Sequence, residues 1–104
     1  MTNNEMVEAA VAMHEGRSGY HYDRKRIEAA VEGGLQEGDD VPIGNNAHVK
    51  IQGGTVVVRQ WDRAQQQYRE ITRVLLEDLS DVQREKTLIC KAYQAGRLGS
   101  EVGP

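Results

Sequence analysis

From residue 47 onward, apolar and polar residues alternate over two short runs, Ala47–Gln52 and 55–61, with Gly53-Gly54 between them. A two-residue glycine link supplies the positive φ that a type I′ turn needs at both central positions, so the runs read as a β-hairpin. The turn sets the register: Gln52 opposite Thr55, Ile51 opposite Val56, Val49 opposite Val58. One face then carries Ala47, Val49, Ile51, Val56 and Val58 and belongs in a core. The other carries His48, Lys50, Val57, Arg59 and Trp61. Two strands alone are marginal in water. The hairpin is therefore expected to gain a third strand around Val41-Pro42-Ile43, with the proline at a sheet edge, or to extend across a dimer.

Further on the period changes. Tyr68, Leu75, Val82 and Ile89 recur every seven residues, and Ile71, Leu79, Ala92 and Tyr93 fill positions three or four after them. No Gly or Pro interrupts 55–95. The spacing predicts an amphipathic helix over 62–97. A helix of that length spans about 50 Å, whereas a domain of this size has a radius of gyration of about 13 Å. The helix is thus expected to bend or break. Ser80, with Gln83 three residues on, has capping-box spacing and can start a second helix. If the helix stays whole, its protruding part is expected to lie on another copy. Tyr68, Ile71, Leu75, Leu79, Val82 and Ile89 form the expected core and dimer stripe, and a homodimer is the expected state.

At the start of the chain, Thr2 and Glu5 also have capping-box spacing. Met6, Val7, Ala10, Val11, Met13 and His14 give a short helix, stopped by Gly16. Asp23 reads as the N-cap of a second helix with Ile27, Ala30, Val31 and Leu35 on its buried face, ended by Gly33-Gly34. The fold class is therefore α+β: two short N-terminal helices, a hairpin, and a long or broken C-terminal helix. One domain over 1–104 is expected, with 97–104 as a flexible tail.

Leu79-Ser80-Asp81-Val82-Gln83-Arg84-Glu85, followed by Tyr93-Gln94-Ala95-Gly96 and Glu101-Val102-Gly103, resembles the opening of the helix-turn-helix in sigma-factor DNA-binding domains. The resemblance covers about a quarter of the chain and stops where that family's recognition helix would begin, so it carries no DNA-reading element. No functional residue is carried over from it.

Composition narrows the function. Thirteen basic residues face 16 acids, for a net charge of −3, so the overall field does not favour a polyanion. With no Phe and one Trp, the core is small and aliphatic. Cys90 is the single cysteine, which excludes an internal disulfide framework and a cysteine zinc set; it reads as a small buried hydrophobe. No run approaches the ~20 apolar residues of a membrane span and residues 1–16 lack signal-peptide features, so a reducing cytoplasm is the expected compartment and no membrane partner is expected.

Catalytic chemistry finds no support in the residues. His14, His21 and His48 are scattered. Glu37, Asp39 and Asp40 lack the spacing of an EF-hand loop, and Asp39-Asp40 reads as a solvated turn. Phosphate-binding glycine loops and nucleophile elbows are absent. No enzyme, no cofactor and no metal are expected. The chemistry that stands out is basic and aromatic: Arg17, Tyr20, Tyr22, Arg24, Lys25 and Arg26, joined by Lys50, Arg59 and Trp61 from the outer hairpin face. Three cations in the first turn of a helix also suggest an anion site. Tyr, Trp and Arg are the residue types of interface hot spots, and they equally serve single-stranded nucleic acid. The expected function is a small binding or regulatory protein that docks on another protein as an inhibitor or adaptor, a class with many members from phages and mobile elements. The alternative is a nucleic-acid or nucleotide-binding module using the same patch.

Overall fold

The computed structural model describes residues 1–15 and 22–101. In chain order these form α1 (Asn3–Glu15), α2 (Arg24–Gly33), β1 (Asp40–Gly44), β2 (Ala47–Gln52), β3 (Thr55–Asp62), β4 (Gln67–Leu75), a 3₁₀ turn (Leu76–Asp78) and α3 (Asp81–Glu101). The strands make one antiparallel sheet in the order β1-β2-β3-β4. The class is α+β, with four strands where the alternation predicts two or three.

Turn chemistry explains the central hairpin. Gly53 and Gly54 have φ of 62° and 70°, and the pairs Gln52–Thr55, Ile51–Val56 and Val49–Val58 follow from it. The Glu37 carboxylate accepts hydrogen bonds from both glycine amides. Those bonds hold its pKa below the usual carboxylate value. Asp39 accepts from the Gln36 amide at 2.7 Å, and its own carbonyl accepts from the Ile51 amide at 2.9 Å. The acidic loop thus clamps the turn through Glu37.

Residues 67–75 are strand β4, where the seven-residue spacing predicts helix. Tyr68, Ile71, Thr72 and Val74 are aromatic or β-branched and suit a pleated surface. The chain is reversed first: the Asp62 carboxylate accepts from the Ala64 and Gln65 amides, and Gln66 takes a positive φ of 54°. β4 then completes the sheet beside β3. The recurrence of Tyr68, Leu75, Val82 and Ile89 therefore spans a strand, a turn and a helix. Ile71, Leu75 and Val82 are 54%, 48% and 62% exposed, which rules them out as core. From that stripe, Leu79 is buried with Val49, Ile51 and Val56, and Ile89 is half-buried on α3. A dimer seam along the stripe has no continuous helix to run on.

The helix does begin at Ser80, as the capping pattern predicts. The Ser80 hydroxyl accepts from the Gln83 amide at 3.3 Å, and the Gln83 side-chain oxygen accepts from the Ser80 amide at 3.4 Å. α3 then continues unbroken through Tyr93–Gly96, where a helix-turn-helix needs its turn. The residues at 97–101 extend α3, and 102–104 lie outside the described residues.

The chain divides into two compact units. One is the sheet with its flanking segments, residues 35–87. Its core is Val49, Ile51, Val56 and Leu79, with Leu35, Val58, Val74 and Leu76 around it. Both sheet edges are blunted against strand addition: β1 is short and holds Pro42, and β4 is bulged at Ile71 between charged Glu70 and Arg73.

The other unit is helical: the described residues of 1–34 and 88–104. Thr2 and Glu5 form the expected capping box, Asp23 caps α2, and Gly34 ends it with its amide on the Val31 carbonyl. Gly16, the expected stop of α1, is outside the described residues. Met6, Val7, Ala10, Val11, Ile27, Val31, Leu88 and Ala92 are buried. So is His14, which donates from Nε2 to the Tyr93 carbonyl at 2.8 Å and lies against the Tyr93 ring. Gly96 packs tightly: a Cβ there would stand 2.5 Å from Ile27 Cγ1 and 2.6 Å from its Cδ1. Among the described residues no helix is long and apolar enough to cross a membrane.

Candidate docking face

The outer face of the sheet is set by register. Successive rows across the strands read Gln52–Thr55–Leu75, then Asp40–Lys50–Val57–Arg73, then Pro42–His48–Arg59–Glu70, and last Trp61–Tyr68. The hairpin alternation predicts the β2 and β3 columns. Tyr68 arrives by a bulge. Val58 pairs with Thr72 and Arg59 with Glu70, so Ile71 is the extra residue. In an unbulged ladder Arg69 would stand opposite Trp61, and Tyr68 would fall on the core side. Bulges commonly re-aim side chains in this way.

The result is a contiguous ring cluster. Trp61 and Tyr68 meet at 5.1 Å and 70°. His48 meets Tyr68 at 5.5 Å and 81°. The Arg59 guanidinium lies over the Tyr68 ring, 5.1 Å from its centre. Asp40 ties the cluster at its other side, with one oxygen 3.0 Å from His48 Nδ1 and the other 4.0 Å from Arg59. Despite these contacts Trp61 is 38% exposed and Tyr68 43% exposed. The rings are held in place yet still open to solvent. Arg73 pairs with Glu70 at 2.7 Å.

The remaining predicted residues fall elsewhere. Arg17 and Tyr20 lie outside the described residues. Tyr22 is half-buried in the helical unit, with its ring 6.2 Å from that of His14. The three cations of α2 stand on a helix start that is already occupied, because the Asp23 carboxylate accepts from the Lys25 and Arg26 amides at 3.1 and 3.3 Å. Arg24 bridges Glu8 and Glu28, and Arg26 pairs with Asp23 at 3.5 Å. Lys25 is exposed. Lys50, Arg59 and Trp61 share the sheet face; Arg24, Lys25 and Arg26 belong to the helical unit.

Sequence reasoning missed Tyr68, Asp40, Glu70 and Arg73 as members of the outer face. The Asp62-to-Gln66 turn was the available signal for Tyr68, and the bulge hides its side. Burial pushes the Cys90 thiol up from its usual value, which makes it a poor nucleophile. Among the described residues no group of three or more His, Cys, Asp or Glu side chains is placed to hold a metal ion.

No protein-family model matches the chain, and no curated protein or solved structure matches it either.

Proposed function

We propose that this chain is a non-enzymatic docking protein, of inhibitor or adaptor type, that grips a protein partner with the outer face of its sheet. The observation that carries the reading is the Trp61–Tyr68–His48–Arg59 cluster, pre-organised by register and bulge and still open to solvent. Ordered aromatic and Arg side chains lose little freedom on binding and make the usual hot spots.

The nucleic-acid reading draws on the same face. Its rows hold Lys50, Arg59 and Arg73 against Asp40 and Glu70, a net +1 in a chain of net −3. Two features favour protein over nucleic acid. The rings stand edge to face, and one face of Tyr68 is taken by Arg59, whereas base stacking needs open ring faces. Asp40 and Glu70 also stand on the face where phosphates would lie.

The test is capture from native lysate, with nuclease-treated and untreated arms, by wild type, Trp61→Ala and Tyr68→Ala. A stoichiometric protein that survives nuclease and is lost by both variants, with their circular dichroism unchanged, is the expected result. Each truncation should cost about 2 kcal/mol or more of binding. Equal capture by all three proteins would refute the reading.

A further inference from the structure

We infer that β4 pairs antiparallel with β4 of a second copy of this chain, joining two sheets into one. The inference stands apart from the docking reading, because it concerns the edge of the sheet and not its outer face. β4 ends the strand order, and residues 67–73 are all exposed. Among the described residues no strand lies beyond it, so every second backbone N–H and C=O faces outward.

The bulge fixes one register. A two-fold axis that joins identical antiparallel edges keeps the outer face on the outer side, so residues opposed across the seam must come from the same face. Pairing with β3 puts Tyr68, Glu70, Arg73 and Leu75 on the outer face and Arg69, Thr72 and Val74 on the other. In an unbulged strand every two-residue shift would satisfy the rule. With Ile71 as an extra residue, one register does so over the whole strand. Tyr68 then opposes Leu75 of the second copy, Glu70 opposes Arg73 of the second copy, and both pairs repeat across the axis. The bulges meet at the axis itself, Ile71 against Thr72.

That register, chosen by geometry alone, is also complementary in chemistry. An aromatic ring meets an aliphatic side chain, Glu meets Arg, and Arg69 meets Val74. Registers centred on Glu70 or Arg73 would oppose like charges, and one centred on Ile71 would set Arg69 on Arg73. The Glu70–Arg73 pair within each chain need not open. Both Arg73 bonds end on Oε1 of Glu70, from Nε at 3.2 Å and Nη2 at 2.7 Å. Oε2 and Nη1 are left to face the opposite pair, so four charges alternate in sign around the axis. The charges and bulge that turn away an arbitrary strand thus admit a second copy of the same one. The far edge, β1, is short and holds Pro42, so assembly closes at two. Such a dimer carries two Trp61–Tyr68 clusters on one continuous face, about 23 Å apart along the strands at ~3.3 Å per residue.

Sedimentation of the full chain up to several hundred micromolar, read against the chain mass of 11.6 kDa, should show a monomer–dimer equilibrium. Glu70→Arg and Arg73→Glu should each weaken it about tenfold, because each puts two like-charge pairs on the seam. An equimolar mixture of the two variants should recover the wild-type association, because every opposed pair then carries opposite signs again. In a mixture of isotope-labelled and unlabelled wild type, cross-peaks between the Tyr68 ring of one copy and the Leu75 methyls of the other should appear. A monomer over the whole concentration range would overturn the inference. So would a dimer without those cross-peaks, or a mixture that associates no better than either variant alone while both keep the wild-type circular dichroism. If a variant loses its fold, the wild-type cross-peaks decide. The docking reading is tested separately, by lysate capture with Trp61→Ala, a residue of β3 and not of the β4 edge.

Discussion

Gly96→Ala sets two opposing effects against each other, and the structure says which wins. In a helix interior, replacing Gly with Ala gains about 0.5–1 kcal/mol through lost unfolded-state freedom. At position 96 the added methyl would stand 2.5 and 2.6 Å from two carbons of Ile27 and 3.0 Å from His14 Nε2. Both neighbours are fully buried, and His14 is tied to the Tyr93 carbonyl. Neither can rotate away without displacing other core atoms. Overpacking of this kind costs about 1–3 kcal/mol. A net loss of about 1–2 kcal/mol is expected, or roughly 4–16 °C in Tm for a domain near this size. Urea unfolding followed by helical circular dichroism measures it. Ile27→Val removes Cδ1, one of the two contacts, and should cost about 0.5–1.5 kcal/mol alone. Combined with Gly96→Ala it should cost clearly less than the sum, because the second change makes room for the first. A Gly96→Ala chain as stable as wild type, or more stable, would refute the tight approach of α3 to Ile27.

Ser80→Ala removes the hydroxyl half of the α3 capping box and should cost about 1 kcal/mol, read from the urea midpoint. Glu37→Gln should weaken the Gly53-Gly54 turn at neutral pH. Because the folded pKa of Glu37 is lowered by the two glycine amides, its contribution is full above the ordinary carboxylate range and is lost as pH falls through the lowered value. The stability gap between wild type and Glu37→Gln should therefore close in acid; a gap that grows there would contradict the clamp. Deleting Ile71 should leave Tyr68 beside Trp61, since the remaining residues fall into a regular ladder. Loss of the Trp61–Tyr68 cross-peaks in the nuclear Overhauser spectrum would show that the register is wrong. Cys90 should react slowly with a disulfide reagent in the native chain and rapidly in urea, in keeping with its raised pKa.

The parts of the fold legible beforehand were those with local chemistry of their own. Gly53-Gly54 dictated a register that held pair by pair, and Thr2, Asp23 and Ser80 each marked a helix start. The stretch 67–75 was misread because Tyr68, Ile71 and Leu75 have spacings that satisfy a helical stripe as well as a bulged strand. Periodicity cannot choose between them; pairing with β3 does. The docking face was half legible for the same reason. Lys50, Arg59 and Trp61 lie on runs whose side is set by the hairpin. Tyr68 depends on a bulge, which shifts parity without any residue type that announces it. The three cations of α2 drew attention as an anion site because their sequence neighbours are visible and their tertiary partners, Glu8 above all, are not.

The helical unit is made from both ends of the chain, with all of residues 35–87 between its pieces. During synthesis α1 and α2 leave the ribosome long before Leu88 and Ala92, which share their unit. The sheet has every strand in one continuous segment and can close through successive hairpins as it emerges. The expected order of assembly therefore departs from the order of translation: residues 35–87 close first, and α1 and α2 complete their unit only once Leu88 and Ala92 have emerged.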